Sequence, residues 1–205
     1  MPDDSATTGS DPGGSPWQRA LGDDFELLHP RLHAYFSAIP PGRVGRGSGT
    51  FDRVGTPRRW MRLALRVLER RRILFPVWER DVAFTVENRA DHSGVSAVRT
   101  FRLRSGDRTM VDHVSFDARG LIDRLGDGGV LGARLAASVV DGELRLVSTS
   151  AHWRRLRIPL APRVRLTERY DDAAGRQHVA LTLESKVLGR LYEYSGHFDY
   201  RIEAS

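Results

Sequence analysis

From Phe75 to Ile202 apolar and polar residues alternate with a period of two, the spacing of strands that bury one face. The alternating segments are Val77–Asn88, Val95–Arg104, Thr109–Phe116, Leu121–Leu125, Leu131–Val140, Glu143–Trp153, Arg157–Leu160, Val164–Tyr170, His178–Ser185 and Arg190–Ile202. Turn-forming residues separate them, and Asp141-Gly142 between two such segments is a two-residue hairpin signal. Strands at this spacing, without intervening helices, predict a mostly antiparallel α+β fold: a ten-stranded curved sheet or barrel rather than a parallel βαβ sheet.

Ahead of these strands the period is helical. Leu21, Phe25, Leu28, Leu32 and Tyr35/Phe36 predict a helix over 17–39, with a break near His29 because Pro30 cannot donate to the helical ladder. Residues 42–55 hold five glycines; without G-x-G-x-x-G or a P-loop pattern they predict a mobile turn leading into a short strand over Thr50–Val54. Thr56-Pro57 starts a second helix over 56–72. Its stripe of Trp60, Met61, Ala64, Leu65, Val67 and Leu68 is expected to dock on the sheet; Arg58, Arg59, Arg62, Arg66, Arg70 and Arg71 around the rest also fit a helix lying on an anionic membrane. Residues 1–16 are acidic and rich in Gly, Ser, Thr and Pro, and predict a disordered leader before a single β-rich domain over 17–205.

Several strand faces carry the wrong chemistry. Arg99 falls between Ala97 and Phe101, Asp112 between Met110 and Val114, Asp123 between Leu121 and Leu125, Glu168 beside Leu166 and Tyr170, and Asn88 after Val86. The pleat therefore turns one cation, three carboxylates and an amide inward. Buried ionised groups must pair, change protonation or meet a polar ligand. Two readings stay open: an ion-pair network centred on Arg99 that fixes register, or a polar floor for a ligand in an apolar cavity. Carboxylates so placed also suit general acid–base work. The aromatic face of the last strand, Tyr192, Tyr194, Phe198 and Tyr200, together with Trp78 and Trp153, fits either core or a pocket wall.

Composition narrows the classes. With no cysteine there is neither a disulfide nor a thiolate site. The net charge of +6 comes from arginine, Lys186 being the one lysine, and its spread along the chain argues against a nucleic-acid partner. No apolar run reaches the roughly 20 residues of a membrane span, and no secretory signal is present, so the cytoplasm is the expected compartment. His29 and His33 have metal-ligand spacing, but Pro30 lies between them and H-E-x-x-H is absent, so no metal site is assigned. No cofactor motif and no nucleophile elbow occurs, and no catalytic residue is assigned.

A series of segments resembles the bacterial DUF4166 family, a domain of unknown function. They are Arg80–Asn88, Val98–Phe101, Asp123–Gly126, Glu168–Asp172 and Leu188–Phe198, in the family's order over about Leu21 to Ile202. The chain departs from the family pattern at Ala151–Leu160, where a Tyr-Glu-Gly-Pro-like stretch is expected. The resemblance implies a domain that stands alone or is appended to saccharopine-dehydrogenase-like NAD(P) domains, and supplies no catalytic residues to carry over. The expected function is therefore non-catalytic binding of a small hydrophobic or amphipathic ligand in a barrel interior. The alternatives are a cofactor-independent enzyme using the inward carboxylates beside Arg99, and an accessory module of a partner oxidoreductase.

Overall fold

Each turn signal becomes a hairpin corner. In the computed structural model, which describes residues 14–205, twelve strands follow one another: β1 (Arg43–Gly55), β2 (Trp78–Glu79), β3 (Val82–Asp91), β4 (Gly94–Leu103), β5 (Gly106–Asp117), β6 (Gly120–Leu125), β7 (Leu131–Val140), β8 (Glu143–Trp153), β9 (Leu156–Arg157), β10 (Arg163–Asp171), β11 (Arg176–Ser185) and β12 (Gly189–Ala204). All pairings are antiparallel. From β3 to β8 the order is a meander; β12 returns beside β1, and β10 pairs with both β11 and β8. That last pairing, Arg165 opposite Val147 through Glu168 opposite Leu144, closes a ten-stranded barrel. The short β2 and β9 are appended at β1 and β8. Ten strands enclose more space than the eight whose interior side chains alone can fill, so the sequence must plug or line what is left.

The glycine-rich run is a full barrel strand, not the expected mobile turn. Gly45, Gly47 and Gly49 occupy successive interior positions of β1, and aromatic rings take the space their missing side chains leave. A Cβ on Gly45 would run into the Tyr200 hydroxyl; one on Gly49 would overlap the His197 carbonyl oxygen and stand 2.6 Å from Phe198 Cα. Because that obstacle is backbone, Gly49→Ala is expected to force β1 and β12 apart and to cost about 1–3 kcal/mol in urea denaturation. A stability within a few tenths of the parent's contradicts this packing.

Helical segments close both ends. The predicted 17–39 helix is instead four short pieces: α1 (Pro16–Leu21), 3-10 turns over Gly22–Leu27 and Pro30–Leu32, and α2 (His33–Phe36). Gly22 at φ 56° ends α1, and Pro30 starts a new turn with the His29 side chain as its cap. The expected leader overlaps this cap, since Ser15 is buried as the N-cap of α1 in a reciprocal pair with Gln18; the remainder of that expectation lies outside the described residues. The cap is tied to the rim by His29 N–H donating to Gly142 O (3.0 Å), by His29 stacked on Tyr170 and by Tyr35 against Tyr200. At the opposite end lies α3 (Met61–Glu69), shorter than the predicted 56–72, followed by a buried Ile73 and Phe75. Arg58 donates to the carbonyls of Leu188 and Arg190, and Arg108 pairs with Glu69 at 2.5 Å. The predicted docking stripe of α3 is only partly right: Leu65 is buried and Met61 and Leu68 half-buried, but Trp60, Ala64 and Val67 are exposed.

Candidate functional site

Inside the barrel an aromatic cluster of Phe51, Phe75, Phe84, Phe101 and Tyr194, with centroids 4.6–6.5 Å apart, fills the β1–β4 side. The opposite side is left with a cavity of about 160 Å³. Its wall is mostly aliphatic, from Leu146, Leu166, Leu181 and their neighbours, and Trp17, Tyr35 and Phe36 of the N-terminal cap roof it.

Four of the five inward polar residues converge on this cavity: Arg99, Asp112, Asp123 and Glu168 all line it, from β4, β5, β6 and β10. Antiparallel register explains the first three. Ala97 faces Asp112, and Val114 faces Asp123, so Arg99, Asp112 and Asp123 descend diagonally across three adjacent strands, within reach of long side chains. Arg99 Nη1 makes an ion pair with Asp112 Oδ1 and a hydrogen bond with the Tyr35 hydroxyl. The side chain of Asp112 is 4% exposed. Glu168 enters from across the barrel and accepts a hydrogen bond from the Gln177 amide. The fifth residue, Asn88, is buried but stands apart from the cavity; its amide nitrogen donates to the Tyr200 hydroxyl at 3.3 Å.

The ion balance leaves two carboxyls over. Among the described residues neither Asp123 nor Glu168 has an ion-pair partner at salt-bridge distance, and Asp123 Oδ1 is enclosed without a hydrogen bond. Burial disfavours their charged forms. It pushes Glu168 up to about 7 against the opposing pull of the Gln177 hydrogen bond and Arg99, and Asp123 up to about 6 against Arg99. Burial, helped by Glu168, also pushes Tyr35 up to about 12, and burial raises Tyr194. Burial alone would lower Arg99, but the charges facing it outweigh that: Asp123 raises it and Asp112 pairs with it, so the guanidinium stays charged. Near neutral pH the cavity thus presents one compensated ion pair, two carboxyls poised between forms and two phenolic hydroxyls.

Other sequence candidates fall elsewhere. His29 Nδ1 accepts from Arg31 N–H and His33 Nε2 lies 3.2 Å from the Leu28 carbonyl oxygen, so each ring has a local role in the cap. Trp78 is partly exposed, with Arg53 over its ring. On the outer face of β12, Glu193 is buried between Arg53 (2.9 Å) and Arg190 (2.5 Å). Among the described residues no group of three or more His, Asp or Glu is arranged to hold a metal ion. What the sequence reading missed is the roof. Trp17, Tyr35 and Phe36 sit in short turns whose helical spacing does not tell which residues reach into a barrel; Tyr194 was legible on its aromatic face.

Fold and site together define a capped, ten-stranded antiparallel barrel with a small, polar-floored internal cavity. The chain belongs to the family described as "Domain of unknown function (DUF4166)", whose model matches residues 28–198. That span includes Tyr35, Phe36, Arg99, Asp112, Asp123, Glu168 and Tyr194. The chain is also similar to the uncharacterized protein YndH of Bacillus subtilis (strain 168), at 23% identity over 190 residues, 85% of this chain and 92% of that protein. No solved structure matches.

Proposed function

We propose that the barrel is a binding domain for one small amphipathic molecule, held with its apolar body against the leucine wall and its polar end at Asp123, Glu168 and Arg99. The observation that carries this reading is the convergence of four ionisable groups from four strands on an otherwise aliphatic cavity. A purely structural network would bring each charge to a partner, whereas here two carboxyls are left uncompensated beside open space. The size sets the ligand's scale: an apolar cavity of about 150 Å³ takes up benzene, so a cavity of about 160 Å³ suits a body of similar size.

Benzyl alcohol, a ring with a single hydroxyl, is the matching probe. It is expected to raise the thermal midpoint saturably, as any ligand of the native state does. Filling the cavity with Ala133→Leu, at a buried position on its wall, is expected to abolish that rise while the protein stays folded. Native mass spectrometry of protein incubated with bacterial extract should show a small adduct that the same substitution removes. Neither adduct nor thermal shift in the parent protein would contradict the proposal.

A second reading, a cofactor-independent acid–base enzyme, is favoured by the raised carboxyls, because a general acid or base works best near the operating pH. The two readings separate in one assay: an enzyme releases the extract-derived molecule with an altered mass, and Glu168→Gln stops that alteration without stopping capture. The reading as an oxidoreductase partner rests on the family's domain fusions and gains nothing further from this chain.

A further inference from the structure

The barrel's two ends differ in character. Among the described residues ten large hydrophobic side chains are exposed, and eight of them lie at the α3 end. Three separate segments supply most of these. Trp60, Leu63 and Val67 form a stripe on α3 turned away from the buried Leu65; Leu156 and Leu160 project from the β9 region at 76% and 98% exposure; Val187 and Leu188 tip the β11–β12 turn, Val187 at 89%. Backbone contacts place these segments on one rim. Arg58 at the start of α3 donates to Leu188 and Arg190 carbonyls, Arg163 pairs opposite Glu184, and Arg154 N–H donates to Val130 O beside the turn that Arg72 and Asp127 tie to α3.

Charge is concentrated on the same rim. Residues 56–72 hold seven arginines, 153–163 hold four, and 186–190 hold Lys186 and Arg190, against a single acid, Glu69. These segments therefore carry a net +12, and the rest of a chain with net charge +6 carries a net −6. On the exposed face of α3 and its two flanks, Arg59, Arg62, Arg66 and Arg70 form no ion pair among the described residues, whereas arginines on the barrel wall are mostly paired, as Arg46 is with Glu87 and Glu203.

We propose that this rim docks on an anionic lipid bilayer, with the aliphatic tips and Trp60 entering the headgroup boundary and the arginines holding lipid phosphates. Protruding aliphatic side chains interleaved with unpaired arginines match a surface that is apolar below and anionic above, and arginine binds phosphate with two parallel N–H donors. A single-stranded nucleic acid would instead call for a groove with a series of aromatic stacking platforms, whereas beyond Trp60 and Trp78 the exposed large side chains of this rim are leucine and valine. Contact is peripheral, since no described helix is long and apolar enough to cross a membrane, and the charged outside of the barrel wall is the reverse of a lipid-facing barrel.

The test is co-sedimentation of the full chain with vesicles of phosphatidylcholine alone or with added phosphatidylglycerol. Binding is expected with the anionic vesicles only, to weaken with salt as screening demands, and to fall about tenfold or more in both Leu63→Glu/Leu160→Glu and Arg59→Gln/Arg62→Gln/Arg66→Gln. All five positions are exposed, so circular dichroism should show every variant folded. Protein left in the supernatant with anionic vesicles at low salt overturns the proposal. So does binding that the leucine substitutions leave intact, which would mark a general polyanion site instead.

Discussion

Replacing Arg99 by leucine is expected to destabilise the fold by about 3–5 kcal/mol, because it leaves Asp112 as an uncompensated charge inside the barrel. The pair is enclosed on the Asp112 side, whose side chain is 4% exposed, so water cannot replace the guanidinium there. The loss should grow with pH. Arg99 is what pulls the Asp123 and Glu168 carboxyls down against burial; without it their ionisation becomes costlier still. Removing both partners in Arg99→Leu/Asp112→Leu is expected to recover most of the loss, since an apolar pair needs no counter-charge. Urea denaturation of the two variants reads both effects. A single variant within 1 kcal/mol of the parent would mean that Asp112 finds solvent or another cation.

The second large effect is on pH dependence. Asp123 and Glu168 have folded-state values near 6 and 7, above the values near 4 of an unfolded chain. Between those limits the native state holds protons that the unfolded state gives up. Stability contributed by the two groups is therefore complete below about pH 4, falls as pH rises through 6 and 7, and is lost above. Each group alone accounts for about 3 kcal/mol at the upper limit. His178, lowered chiefly by burial, works in the opposite direction over part of this range. Asp117, Glu87 and Asp171, all held below the usual carboxylate range, act only at lower pH. Comparing Glu168→Gln with the parent at each pH subtracts these common contributions. The amide mimics the protonated carboxyl, so the variant should be the more stable protein at pH 8 by about 1–3 kcal/mol, the gap closing as pH falls and vanishing below about pH 4. Gln177 can turn its amide oxygen toward the new nitrogen. A variant less stable than the parent at pH 8 would mean that Glu168 is stabilised as a carboxylate.

Why the site could be read from sequence while its roof could not follows from backbone periodicity. A strand sends alternate side chains to one face whatever the turns do, so an arginine between Ala97 and Phe101, or an aspartate between Leu121 and Leu125, is marked as inward by its neighbours alone. The same rule hid β1. Its interior positions are Gly45, Gly47 and Gly49, which carry no hydrophobicity to alternate, and the run resembles a flexible turn unless the glycine spacing itself is taken as the period. Helical spacing failed differently. Leu21 through Phe36 keep an amphipathic rhythm across Gly22 and Pro30, two residues that break the helix, and the pieces fold over the barrel mouth as a cap. On α3 hydrophobic residues surround much of the helix, so spacing alone did not choose which stripe docks; Leu65 faces the barrel and Trp60, Leu63 and Val67 face out.

Among the described residues Asp123 and Glu168 are carboxyls without an ion-pair partner, bordering the cavity that the proposed amphipathic molecule would enter. Carbon-13 NMR of labelled carboxyls, titrated with and without benzyl alcohol, reads this directly. Midpoints near 6 and 7 for Asp123 and Glu168 that move when the alcohol is added, while Asp117, outside the cavity, keeps its low value, are the predicted result. Midpoints near 4 for both groups, indifferent to the alcohol, would contradict it.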